Sequence, residues 1–548
     1  MERTTRHPLL PAAVAAGVAC AALALVPTAT YAEAFAHPSR VARLAGAVPD
    51  ATVRGAEAFR AALAAAAVLL PLLAWILVRM CDGPVRRARP MWPATRQAWL
   101  ALAAITGAGA VVRVVLATES LWYDEISAFL SFAIEGPGVA FGSYAVPTNH
   151  VPMTLATWAA WTLSGGSVHE LVLRAPALVA GVAAIPAAYA LVASVFPRRM
   201  AWLGALAVAA SPIAVVESAE ARGYAFVILA ALVAALAWAR ARRTRAAGDY
   251  AAFACACALG AWAHPVAVLV PMSAGLIGLV RDRRLAVAAL LAGTLAAILL
   301  SPLSGDVLAT RRDYLQSAAD QPTVFSREGY EALLVPTMSW SGAWLSWPNV
   351  PTTLVVLAGL AGIARRARVR AVLAPFALAF ALAPIASIAL GTWIYARFVL
   401  FALPLGVVAV AAAGTGARRR AGFAAALILL GVAGLHGYTV KQPIRDAVAI
   451  VAARRTADDR VATIGLPDNA VGFYTQRYGF AATDTGFLGS NLAAVIARES
   501  PRFVVVLYPD RLDESVLRSL DAGYDRTHRL EGWADWGAGA VEVWERPG

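Results

Sequence analysis

Apolar runs of membrane-spanning length recur along this chain, separated by loops in which arginine is almost the only charge. A hydrocarbon core of ~30 Å takes about 20 apolar residues of helix to cross. Within it every backbone N–H and C=O must be satisfied by the segment itself, which leaves helices as the spanning form for runs of this kind. With 60% hydrophobic residues in a chain of 548 and a mean hydropathy of +0.64, a soluble globular fold is excluded.

The arginines give the runs a direction. The loop after the second run holds Arg79, Arg86, Arg87, Arg89 and Arg96 against Asp82 alone. Further clusters follow at Arg198-Arg199, Arg240/Arg242/Arg243/Arg245, Arg281/Arg283/Arg284, Arg365/Arg366/Arg368/Arg370 and Arg418-Arg419-Arg420. Excess basic charge marks cytoplasmic loops. With all of these inside, spans fall near 8–31, 58–78, 98–117, 171–195, 200–217, 224–240, 249–263, 265–280, 285–302, 352–364, 371–391, 397–414 and 421–438. This is an α-helical polytopic membrane protein of about thirteen spans, its N-terminus cytoplasmic and its C-terminus extracytoplasmic. Small residues near 28–32 resemble a signal-cleavage site, but the length of the first run favours a retained span. The run 151–163, VPMTLATWAAWTL, would reverse every later loop if it crossed. It therefore reads as a helix along the outer surface, with Trp158 and Trp161 at headgroup level.

The net charge of +13 is arginine, Lys441 being the sole lysine, and it serves topology. No basic patch interleaved with aromatics is present, so nucleic acid is not an expected partner. The four cysteines show neither metal-ligand spacing with histidine nor a disulfide framework. Past about residue 438 the composition changes to thirteen basic and fifteen acidic residues over 439–548. Short β-like runs such as FVVVLY (503–508) alternate there with helical patterns at 445–455 and 515–520. The expected organisation is an N-terminal membrane hairpin and basic loop (1–97), a transmembrane core (98–438) with an external loop at 118–170, and a small extracytoplasmic α/β domain (439–548).

One stretch carries chemistry. Leu121–Met153 places Asp124 and Glu125 side by side where the chain leaves the hydrocarbon, and closes on Thr148-Asn149-His150. Ionisable groups at such a boundary are costly and mark function. The same topology brings Glu217, Glu220, Arg222 and Tyr224, then His264, then the 303–351 segment with Asp306, Arg311, Arg312 and Asp313, and finally Tyr395 and Arg397 to the outer face. Singly, each reads as an interfacial anchor or a helix-end charge; their convergence on one face makes the candidate site. Arg113 stands apart within a span, near enough to its outer end to snorkel or to pair with a carboxylate.

Trp122-Tyr123-Asp124-Glu125, the Asn149-His150-x-Pro152 segment, the run LRAPALVAGVAAIPAAYAL through Arg174, and the ARGY (221–224) and YARF (395–398) segments together resemble the GT-C glycosyltransferases. Their branch resembled most is that of the protein O-mannosyltransferases and aminoarabinose transferases. The likeness covers roughly 98–480. It departs at His150-Val151-Pro152-Met153, where the family has H/K-P-P-L, and in the additional hairpin over about 8–78.

The resemblance implies a transferase that moves a sugar, a hexose such as mannose or a pentose, from a polyprenyl-phosphate donor to a glycan, lipid or protein hydroxyl outside the cell, with inversion. It implies Asp124 as general base with Glu125 beside it. Asn149, His150, Arg222, Tyr224, His264, Tyr395 and Arg397 become substrate-binding candidates, with His150, Arg222 and Arg397 holding the leaving phosphate. Glu125 is expected to pair with a cation such as Arg113. No Asp-x-Asp pair is evident, so neither metal nor other cofactor is expected. The competing readings are a flippase of polyprenyl-linked sugars, which would call for ionisable sites at mid-membrane and an internal repeat, and a non-catalytic scaffold.

Overall fold

The computed structural model describes residues 7–83, 87–309, 362–390, 396–414, 417–436, 440–466, 470–534 and 539–547. Among these, six helices are long and apolar enough to cross a bilayer: Asp50–Met80, Arg96–Leu116, Glu170–Val195, Tyr224–Thr244, Arg283–Ala309 and Ala367–Ser387. A seventh is obtained if Leu9–Ala24 and Thr28–Phe35, bent by 91° at Pro27, count as one. Two shorter apolar helices, Pro265–Arg281 and Arg397–Ala413, lie beside them. The expected thirteen is therefore met in part among the described residues. Proline is one cause of the difference: the 200–217 run breaks at Ser211-Pro212, since proline removes an N–H and crowds the preceding turn; the runs 249–263 and 265–280 are separated at His264-Pro265 as expected. The expected span at 352–364 lies almost wholly outside the described residues, as does most of 303–351 with Arg311, Arg312 and Asp313.

The breaks explain one buried charge. Pro212 has no N–H to give the Val208 carbonyl, and Arg113 Nη2 takes that carbonyl at 2.9 Å while Nη1 bonds Gly109 at 3.0 Å. Arg113 thus neither snorkels nor meets a carboxylate. It is fully buried and replaces backbone donors lost to a proline.

The arginine-rich loops touch one another. Arg284 donates to Met80 O, Arg198 to Pro90 O and Arg242 to Arg368 O, while Arg366 lies over the Phe196 ring. They form one end of the bundle. The helix Val151–Leu163 sits at the other, and Trp158 and Trp161 pack partly buried against the core of the C-terminal unit.

That unit is a five-stranded sheet of order β2-β1-β3-β5-β4, with β1 Val461–Gly465, β2 Thr483–Phe487, β3 Phe503–Leu507, β4 Asp525–Leu530 and β5 Val541–Glu545. β1 is parallel to β2 and β3, whereas β5 is antiparallel to β3 and β4. Alternate residues of β3 serve opposite faces. Val504 and Val506 pack with Leu492, Val495 and Leu520. Phe503, Val505 and Leu507 join a cluster containing Leu121, Tyr123, Ile126 and Phe129 from the first outer loop. The loop that carries Asp124 is therefore one wall of the sheet domain's own core.

Candidate active site

Glu125 is the fixed point of the site. It lies at the start of the helix Tyr123–Ala128, where its Oε2 accepts from the Trp122 N–H at 3.1 Å. The Arg174 guanidinium donates to both its oxygens, at 2.8 and 2.5 Å, and Ala221 N–H donates to Oε1 at 2.5 Å. Arg174 also bonds the carbonyls of Ala117, Glu119 and Ser120. One buried bidentate pair thereby ties the Asp124 loop to the helix Glu170–Val195 and to the ESAEARGY turn. The partner expected for Glu125, Arg113, is corrected to Arg174.

With Glu125 turned inward, Asp124 points another way, as adjacent helical residues must. It is partly exposed, and its Oδ2 lies 2.9 Å from Arg222 Nη1. Arg222 in turn faces Tyr224, 5.7 Å from guanidinium carbon to ring centre. The Tyr224 ring stands edge-on to His150 at 4.8 Å and lies 5.5 Å from His264, which contacts Phe398 at 4.6 Å. Gly223 permits this closeness: a Cβ there would come within 2.7 Å of Ala263 O and 2.8 Å of His150. His150 Nδ1 meets Ala263 O at 2.9 Å. A carbonyl only accepts, so Nδ1 carries the proton, and in the neutral ring Nε2 keeps its lone pair. Burial, and after it Arg222, hold the ring well below the usual histidine range, and His264 is pushed down to about 3 by burial, Arg222 and Arg397. Burial thus disfavours the cation expected of His150 and favours the neutral ring in both.

Trp122 forms the centre of the charged part. Lys441 Nζ lies 4.1 Å from its ring, and the guanidinium carbons of Arg222 and Arg397 lie 5.6 and 5.7 Å away, distances at which cations are held by an aromatic face. Its Nε1 donates to Glu220, which Lys441 grips at 2.7 and 2.9 Å. Glu217 lies buried in the same cluster. Burial first, and then Glu220, push its carboxyl up to about 7, against Lys441, Arg397 and Arg222.

Several buried atoms have no hydrogen-bond partner among the described residues: Glu217 Oε2, Arg222 Nε, Tyr224 Oη and His264 Nδ1. Isolated orphans of this kind are rare, and here they occur together. Such a cluster has the donors and acceptors to receive a polar, anionic ligand.

Among the sequence candidates, Asp124, His150, Arg222, Tyr224, His264 and Arg397 converge. Asn149 lies at the edge, its amide donating to the Ala140 and Ser143 carbonyls and its oxygen accepting from Thr154, so its polar atoms hold the loop. Tyr395 lies outside the described residues. Arg174, Trp122 and Lys441 were not singled out as site residues. For Lys441 a signal existed: one lysine among 47 basic residues. Among the described residues no group of three or more His, Cys, Asp or Glu is placed to hold a metal ion.

Residues 149–305 match the family model described as dolichyl-phosphate-mannose-protein mannosyltransferase. No curated protein matches the chain. Among solved structures, ArnT from Cupriavidus metallidurans in the apo state is similar with a TM-score of 0.55 and 13% identity over 82% of this chain and 98% of that one. The same protein bound to undecaprenyl phosphate gives 0.50 and 14% over the same shares. The Archaeoglobus fulgidus oligosaccharyltransferase gives 0.43 and 13% over 75% and 69%, a likeness too slight to argue from. The fold is thus shared with ArnT over 82% of the chain, and the stretch matched by the mannosyltransferase family model, 149–305, lies within it and carries His150, Arg222 and His264.

Proposed function

We propose that the protein transfers a sugar, a hexose such as mannose, from a polyprenyl-phosphate donor to an acceptor hydroxyl on the extracytoplasmic face, with inversion at the sugar carbon. The observation that carries this reading is Asp124 held against Arg222 beside buried polar atoms without partners, at the end of the bundle away from the arginine-rich loops. That end is extracytoplasmic if basic loops stay inside. Nucleotide sugars are not expected there, so the donor is lipid-borne. The similar ArnT structure holds undecaprenyl phosphate.

In the proposed reaction Asp124 takes the acceptor proton as the hydroxyl oxygen attacks the sugar carbon and the lipid phosphate departs. Arg222 and Arg397 receive the phosphate charge as it develops. At ~4 Å such a contact is worth about 4 kcal/mol at an effective dielectric near 20, against about 1 in water. Neutral His150 offers Nε2 as an acceptor to a sugar hydroxyl. Removing a general base costs about 10²–10⁴-fold in rate. Asp124→Asn is expected to lower kcat by that factor with donor binding retained, measured as label transfer from polyprenyl-phosphate mannose, arabinose and glucose in membranes. Wild-type turnover by the variant would refute the role of Asp124; transfer of label from none of the three donors by the wild type would refute the donor class.

A further inference from the structure

At the arginine-rich end lies a cavity of about 480 Å³ lined by Arg199, Arg366, Arg368 and Arg420, with apolar walls that include Phe196 and Met200 and with no acidic lining residue. Arg366 lies 5.3 Å over the Phe196 ring, and its Nη1 is buried without a hydrogen-bond partner. Arg420 Nη1 reaches only Met200 Sδ, at 3.9 Å, a weak acceptor. Two carboxylates at this end of the bundle are engaged elsewhere: Asp249 with Arg240 and Thr244, Asp282 with Tyr250 and Arg284.

Exposed Arg243 and Arg283, at this same end, line no such space. Half-buried Arg366 and Arg420 share one with the more exposed Arg199 and Arg368, against their mutual repulsion and with a buried donor of Arg366 left over. A charge of opposite sign in that space offsets both costs. Guanidinium forks match phosphate oxygens. The Phe196 and Met200 wall suits the glycerol and first acyl carbons of a lipid, which inorganic phosphate lacks.

We propose that this cavity binds the phosphate headgroup of an anionic membrane lipid from the adjoining leaflet. The bound headgroup would tie the start of the helix Ala367–Leu390 to the 196–200 turn and to Arg420. The inference stands apart from the sugar-transfer site, which lies at the opposite end.

The test uses the full chain in neutral detergent, with lipid occupancy read by native mass spectrometry and stability by thermal unfolding. Phosphatidylglycerol, phosphatidylcholine and inorganic phosphate are each titrated. The expected result is one phosphatidylglycerol retained with a raised Tm, and neither from phosphatidylcholine. Arg366→Ala with Arg420→Ala should weaken retention at least tenfold, and Arg283→Ala should leave it unchanged. If the double alanine variant does not fold, Arg366→Lys with Arg420→Lys serves instead, with a smaller loss because the charge stays and the fork goes. Equal retention of phosphatidylcholine, or unchanged retention in the folded double variant, would overturn the proposal. So would inorganic phosphate reproducing the whole stabilisation, since the site would then be one for a free anion.

Discussion

Asp124 and Glu125 are identical in kind to a sequence reader and opposite in circumstance. Glu125 is buried with every near donor aimed at it; Asp124 is partly exposed and faces one arginine. Breaking a buried pair by neutralising one member costs about 3–5 kcal/mol, because the other charge stays buried. Glu125→Gln should therefore lower Tm clearly while turnover per folded enzyme falls less than in Asp124→Asn; comparing activity at equal folded concentration separates the two. Glu217 makes a pH prediction. Its pKa is raised from 4.5 to about 7, so its contribution to stability is complete below about 4.5 and is lost as pH rises through about 7. Charging it is opposed by burial and Glu220 and favoured by Lys441, Arg397 and Arg222. Thermal unfolding of the wild type should weaken between pH 5 and 8 more steeply than that of Glu217→Gln. Equal slopes would show that Glu217 stays ionised.

Among the elements, the first turn of the helix Glu170–Val195 does more than begin a span. Glu170 is buried, and its Oε1 receives Arg445 at 3.2 Å, Arg477 at 2.8 Å and Tyr474 at 3.2 Å, all from the C-terminal unit. Tyr474 Oη also accepts from Leu121 N–H at 2.7 Å, and Gln442 from Tyr123 N–H at 3.0 Å. The sheet domain is thus latched to the two segments that flank Asp124. Replacing Glu170 by Gln removes the charge that two arginines share. Limited proteolysis should then cut between 440 and 460 sooner, and donor KM should rise through the displaced Lys441. An unchanged cleavage rate would mean that the shared apolar cluster holds the domain by itself. The helix was readable from LRAPALV and its neighbours; its role as a latch depends on residues some 300 positions later.

For the molecule as a whole, the arginine-rich loops share one end and the candidate site the other, and orientation follows if basic loops are cytoplasmic. In a variant whose four native cysteines are replaced, a cysteine at exposed Arg283 should resist an impermeant maleimide in intact cells, and one at exposed Glu531 should react. The reverse pattern would invert the topology and move the proposed reaction inside.

Hydropathy, arginine placement and the Asp124-Glu125 pair are local properties, and each survives as a reading of short windows: a bilayer protein, a basic end, an acidic loop. Span boundaries were legible where a run was unbroken, as at 224–244. They were not where Ser211-Pro212 divided apolar sequence whose composition did not change. Packing decided the rest. Glu125 took Arg174 instead of Arg113, because Arg113 was drawn to carbonyls that Pro212 could not serve. Burial in the bundle, and then Arg222, disfavour an imidazolium at His150. Lys441 came to Trp122 from more than 300 residues away. A side chain's charge state and partner depend on what the fold sets opposite it, and residues so far apart in the chain meet only once the helices have packed.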